Sequence, residues 1–324
     1  MSLRILNPEK VLPILKGTVK HFPGIKRFLP KRTGGTIECR YCYSVWMRHL
    51  KHFAAFKEGI PSVVAELGPG DSLGTGLAAL LSGCEKLYAL DVVHYRDVEK
   101  NSVRVFDGLV ELFSRRAPIP GSSEYPNVRP GIDSYDFPRD ILTDERLRKS
   151  LDRDRIISIR NELSEGGKSW KSMIHVHIPW NGVEVIREGS VDFIYSQAVL
   201  EHVEDLENAY RTMWTWLKPS GLMSHVIDFK SHGITRRWNG HWMFSDCEWE
   251  IVKGGKEFLI NRLPYSRHVE LQLKTGFSIL MKSLVRTENK LTADHLATRY
   301  KQMKPDDLST SGMYILSAKK EKQV

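Results

Sequence analysis

The chain has four cysteines in 324 residues, and they form no framework pattern. That excludes a disulfide scaffold and suits a reducing compartment. Cys39 and Cys42 make a single C-x-x-C. A zinc site would want a second pair nearby, and Cys84 and Cys247 are poorly placed for one, so no metal is expected. No apolar run is long enough to span a bilayer. The N-terminus lacks the apolar core and small-residue cleavage site of a secretory signal, and the expected location is the cytoplasm. Internal repeats and low-complexity tracts are absent. The hydrophobic fraction of 41% then fits a globular protein with a sizeable core.

Acidic residues are in deficit. The formal net charge is +9, which favours an anionic partner: a phosphorylated small molecule, an acidic glycan, nucleic acid or a membrane surface. The excess is concentrated in residues 1–32, where eight Lys and Arg accompany one acid, Glu9. Leu12, Ile14, Leu15, Val19 and Phe22 alternate with these charges, a pattern that suits contact with an acidic membrane. Pro13, Pro23 and Pro30 prevent one long helix. The plainer expectation is an arm that packs on the core with its charges in water.

What is present is a glycine-rich turn between two strands. Val63 to Leu67 reads as a buried strand, Gly68-Pro69-Gly70-Asp71-Ser72-Leu73-Gly74 as the turn, and Leu87 to Asp91 as a second strand ending in an acid. A backbone that lies against a ligand needs glycine, because a Cβ would block the approach. An acid at the tip of the next parallel strand can accept hydrogen bonds from both hydroxyls of a ribose. A nucleoside-containing cofactor is therefore expected at the C-terminal edge of a parallel sheet. The dinucleotide fingerprint G-x-G-x-x-G is not met, since Leu73 stands at its third position and the glycine follows at Gly74.

Glu66-x-Gly68-x-Gly70, followed by Asp91, resembles the class I S-adenosylmethionine (SAM)-dependent methyltransferases. Ser196-Gln197-Ala198-Val199-Leu200-Glu201-His202-Val203 and Leu217-Lys218-Pro219-Ser220-Gly221 resemble the fourth- and fifth-strand segments of that family, in the expected order. The resemblance implies a Rossmann-like seven-stranded α/β sheet with helices on both faces and an antiparallel last strand. It covers residues 60–115 and 172–320. It implies SAM as cofactor, lined by Gly68 and Gly70, with Glu66 supporting the loop and Asp91 holding the ribose. Ser72, Ser196 and Gln197 are further candidate cofactor contacts.

The expected organisation is a basic arm and helix over 1–58, then the methyltransferase domain over 59–324, with insertions near 115–171 and 229–262. The first insertion is expected to cover the substrate, because loops at the ligand edge carry specificity. A polar helix is expected near 292–303. Tyr43 and Trp46 recur at helical spacing and are read as core, with contact to the cofactor as the sharper reading.

A hydroxyl acceptor needs its proton removed, usually by His, Asp or Glu. Candidates at the ends of strands four and five are Glu201, His202, His225, Asp228 and His232. Glu201-His202 resembles the E-x-x-E-H-V of ubiquinone-pathway O-methyltransferases, where acids and the histidine can hold a metal. Here Ala198 replaces the first acid. The run Arg236, Arg237, Trp238, His241, Trp242 and Trp249 suits a sugar or phosphate, since aromatic faces stack on sugar rings and arginines fork onto phosphate. With Asn261-Arg262-Leu263-Pro264-Tyr265-Ser266 it resembles methyltransferases of bacterial surface-glycan biosynthesis. The expected reaction is O-methylation of a small-molecule or glycan acceptor, expected to be anionic. RNA methylation is the alternative, and a SAM-binding protein without turnover a third. Base-methylating enzymes usually carry N/D-P-P-Y/F where this chain has Ser196-Gln197-Ala198-Val199, which disfavours nucleic acid.

Overall fold

The computed structural model describes residues 8–20, 35–93, 95, 97–165, 172–180, 182–254 and 258–320. Seven strands form one sheet: β1 (Val63–Leu67), β2 (Lys86–Leu90), β3 (Ile174–His177), β4 (Val191–Gln197), β5 (Leu217–Asp228), β6 (Phe277–Arg286) and β7 (Thr310–Lys319). Their order is β3-β2-β1-β4-β5-β7-β6. The first five run parallel, and β7 enters antiparallel between β5 and β6.

The parallel strands are covered on both faces, as near-continuous apolar runs require. Alternation along β4 divides the core. Phe193 and Tyr195 face one cluster with Val64, Leu87 and Leu222, under α2 (Cys39–Ala54), α3 (Gly74–Ser82) and α4 (Val98–Ser114). Ile194 faces the other, with Ala65, Leu67 and Met223, under α7 (Leu206–Trp216) and α9 (Tyr265–Thr275). The helix α3 is apolar all round and wholly buried, and Gly83 ends it at φ 109°, a conformation that favours glycine. Asp205 caps α7 by accepting from the Asn208 N–H.

The 115–171 expectation changes. Its described part contains α5 (Asp144–Ser150) and α6 (Arg153–Glu165), and its Ile119, Phe137, Leu142, Leu147 and Ile159 join the first cluster. The Arg48 guanidinium on α2 donates to the backbone carbonyls of Pro120, Val128 and Pro130. The described part of the segment therefore buttresses the helical face, and none of its described residues lines the cavity at the sheet edge. Its apolar side chains are committed to that core. The expected helix near 292–303 is instead two 3-10 turns, Ala293–His295 and Thr298–Tyr300, ahead of the short α10 (Pro305–Ser309).

A third cluster gathers the tryptophan-rich stretch. Trp242, Met243, Phe244 and Trp249 pack with Ile260, Leu296 and Tyr300. Here Ser245 and Glu248 form a capping box at the start of α8 (Asp246–Lys253). Arg262 is buried with its guanidinium 4.9 Å from the Trp249 ring and 5.4 Å from that of Tyr300. The tryptophans Trp242 and Trp249 are thus core and offer no face to a sugar. The helix α1 (Pro8–Lys20) lies on α8, with Lys10 Nζ 2.6 Å from Glu248 and Arg237 Nε 3.1 Å from Glu9. Residues 1–7 and 21–34 of the basic arm lie outside the described residues.

Candidate active site

The C-terminal ends of β1, β2 and β4 open into a cavity of about 720 Å³. That is room for a cofactor and a small second molecule. The glycine turn forms one wall. Gly68 and Gly70 sit at φ 66° and 75°, where a side chain would strain the backbone. Asp91 follows β2 directly. Its Oδ1 accepts from the N–H groups of Val92 (2.7 Å) and Val93 (3.1 Å), and its Oδ2 from that of Gly70 (3.3 Å). The carboxylate thus fixes the tip of the turn while lining the cavity. Burial raises its pKa, and the three backbone donors oppose that rise. Glu66 also lines the cavity. Burial pushes its pKa up to about 8, against a 3.3 Å hydrogen bond from the Tyr195 hydroxyl.

Ser72 does not line the cavity. Its hydroxyl donates to the Thr36 carbonyl and accepts from the Gly74 N–H, stapling the turn to the segment before α2. Thr36 and Tyr41 line the cavity instead. Neither carried a sequence signal, because they lie in the chain just before α2 and at its start. Tyr43 and Trp46 are fully buried core. The thiols of Cys39 and Cys42 face different helices, against Gly108 on α4 and Gly74 on α3, so they do not converge on one ion. Trp180, after β3, was also unforeseen on the wall, while His175 is bonded to the Ser172 carbonyl and lies elsewhere.

At the end of β4 the side chains part. Gln197 lines the cavity, whereas Ser196 is sealed beneath it with its hydroxyl 2.8 Å from His225 Nδ1. His225 is fully buried within the sheet, and burial lowers its pKa to about 3. The expectation that it serves as a base fails on position, because no acceptor in the cavity can reach it. Asp228, at the end of β5, is likewise off the cavity wall; it accepts from the Lys230 N–H at 2.9 Å and stands 3.7 Å from His232 Nε2. His202 and His232 do line the cavity, with ring centroids 5.1 Å apart and edge to face. Burial holds both neutral, His202 down to about 4. Two residues here, Ala198 (φ 55°) and His232 (φ 49°), adopt a left-handed backbone without being glycine. Such strain gathers at functional sites.

The family model described as "Methyltransferase domain" matches residues 181–224, which run from the approach to β4 through the middle of β5. That match falls on the strands that carry the cavity, within a sheet whose order and single antiparallel strand are those of the resemblance. Over that segment the chain matches a methyltransferase domain. No curated protein matches the chain in sequence. Among solved structures it is similar to a putative sarcosine dimethylglycine methyltransferase from Galdieria sulphuraria, at 12% identity and a TM-score of 0.43, over 86% of this chain and 85% of that one. It is also similar to a putative S-adenosylmethionine dependent methyltransferase from Listeria monocytogenes, at 13% identity and a TM-score of 0.42, over 88% and 100%.

The cavity's own residues fit SAM. A glycine turn clears the methionine part, and a buried carboxylate stands where a ribose would lie. Along the described wall there is no Lys or Arg, while Glu66, Asp91, Glu204 and Asp205 are all present. That suits a cationic sulfonium, and among the described wall residues no cationic side chain meets an anionic acceptor.

Proposed function

We propose that the chain is a SAM-dependent methyltransferase that transfers the methyl group to an oxygen of a small, uncharged acceptor seated against His202 and His232. The observation that carries this reading is the pair of neutral imidazoles at the cavity wall, far along the sheet edge from Asp91. Bound SAM supplies an already activated methyl group, so positioning accounts for much of the acceleration. The imidazoles offer lone pairs to an acceptor hydroxyl, and Asp228 stands behind His232. Gln197 and Ala198, between the two ends, shape the space for the reacting oxygen. A sugar hydroxyl falls within this class, but the buried Trp242 and Trp249 supply no stacking platform for one. The anionic acceptor suggested by net charge lacks a cationic contact among the described wall residues.

Incubation of the protein with methyl-labelled SAM and fractionated cell extracts tests the reading. Label is expected in a small neutral fraction and to be stable to conditions that cleave esters. Label confined to RNA or protein would overturn it.

Glu66 gives a second test through proton linkage. Its free-state pKa of about 8 means that it holds a proton at neutral pH. A cation placed in the cavity favours the ionised carboxylate and lowers that pKa. Between the lowered value and about 8, binding therefore releases a proton, and SAM affinity rises with pH until it levels off above about 8. Calorimetry in buffers of different ionisation heat is expected to show more proton release for the natural protein than for Glu66→Gln. Equal release in the two would contradict the assignment.

A further inference from the structure

Glu201 has no task in the mechanism above, yet it is 2% exposed. Its carboxylate faces the backbone N–H groups of Glu201 and Asp228 and meets no side-chain hydrogen-bond partner among the described residues. An ionisable group so placed is costly unless something pairs with it. Beside it, His202 Nδ1 is buried without a partner, and the ring is steadied by the Phe258 backbone. His232 arrives from the loop after β5, its backbone turned to φ 49°. One donor atom from each of Glu201, His202 and His232 lies within 4.8 Å of the other two. Ions of the zinc class hold N and O ligands at about 2.0–2.2 Å, so small side-chain rotations would bring the three onto one ion.

We propose that Glu201, His202 and His232 bind a divalent first-row transition ion at the acceptor end of the cavity. Two imidazoles and one carboxylate favour zinc, manganese or iron(II) over magnesium, which prefers oxygen ligands and water. Asp228, 3.7 Å from His232 Nε2, stands as the outer carboxylate that orients a ligating histidine. The open side of the ion faces the cavity, because His202 and His232 line it. This role rests on the acceptor-end reading above. With the ion present, the acceptor oxygen binds it in place of a direct hydrogen bond to the imidazoles and gives its proton to solvent. It then bonds to the methyl carbon, while the C–S electron pair stays on sulfur as a neutral thioether. Sequence reading named Glu201-His202 as a motif that can hold a metal, weakened by Ala198 in the place of the first acid, but did not join His232 to it, because His232 lies thirty residues beyond His202.

The test uses the full-length protein, stripped by chelation and dialysed against Co²⁺ or Zn²⁺. One ion per chain is expected, with a Co²⁺ visible spectrum that lacks the intense bands of thiolate ligation. Glu201→Gln, His202→Asn and His232→Asn are each expected to weaken Zn²⁺ binding by about 100-fold or more. Asp228→Asn should cost about 10- to 100-fold, as an outer partner does. In the natural protein, Zn²⁺ should shift the imidazole NMR signals of His202 and His232 and leave that of His225 in place, a readout that needs no variant to fold. Absence of a stoichiometric ion, thiolate bands, or unchanged affinity in the three ligand variants would overturn the site. SAM affinity measured on the same samples separates the two readings: its loss with the ion retained would strike the cofactor assignment and leave the metal site standing.

Discussion

Replacing Asp91 with Ala is expected to weaken SAM binding about 100-fold. Two ribose hydroxyls can donate to this carboxylate, and each hydrogen bond to a charged acceptor contributes roughly 1.5–3 kcal/mol. Losing about 3 kcal/mol is about two decades in Kd. The substitution also frees the backbone N–H groups of Gly70, Val92 and Val93 that the carboxylate now holds. Asp91→Asn keeps one acceptor oxygen and is expected to fall between. Calorimetric titration, with thermal melting as the check on folding, measures both. An Asp91→Ala protein that melts normally and binds SAM within threefold of the natural protein would remove the ribose assignment.

The second large effect is expected on turnover. His202→Ala and His232→Ala should each lower the rate of methyl transfer by about 10²- to 10⁴-fold, the usual range for losing a positioned proton acceptor or activating group. SAM affinity should move by no more than a few-fold, because the ribose carboxylate Asp91 follows β2, whereas the two imidazoles come from the loops after β4 and β5. His225→Ala is the informative contrast. That ring is sealed in the sheet against Ser196, so its loss should reduce stability and leave the folded protein's turnover close to natural. Wild-type rates in both cavity variants would dismiss the acceptor-end reading.

These contrasts show where the sequence was readable. Motifs that depend on adjacent residues translated directly. Glu66, Gly68, Gly70, Asp91 and Gln197 all reach the cavity, because a strand and the turn after it carry their side chains to one place whatever surrounds them. The helix α4 spans Val98–Ser114 as its apolar spacing predicts. Side-chain direction at the sheet edge was harder. Ser196 and Gln197 are neighbours, yet only one faces the cavity, since alternate residues of a strand point oppositely. The same rule buries His225.

Composition misled most where polarity was taken for exposure. The tryptophan and arginine run after β5 looked like a sugar platform, but Arg262 stacks between Trp249 and Tyr300 and closes a third cluster. Stacking on rings lets a guanidinium be buried at modest cost, and nothing in the sequence marks which arginine will do so. The 115–171 segment misled for the opposite reason. Its charges are conspicuous, while its scattered Ile119, Phe137, Leu142 and Leu147 have no helical or strand period to betray that they belong to the main core. The convergence of Glu201, His202 and His232 depends on two loops meeting, and a linear reading has no access to that distance.

The most direct test of the central claim is a crystal structure of the protein with S-adenosylhomocysteine. The ribose hydroxyls should lie within about 2.5–3.0 Å of the Asp91 carboxylate, at ordinary O–H···O distances, and the sulfur should point along the cavity towards His202 and His232. An adenosyl group bound away from Asp91, or a sulfur aimed at a wall without those two imidazoles, would contradict it.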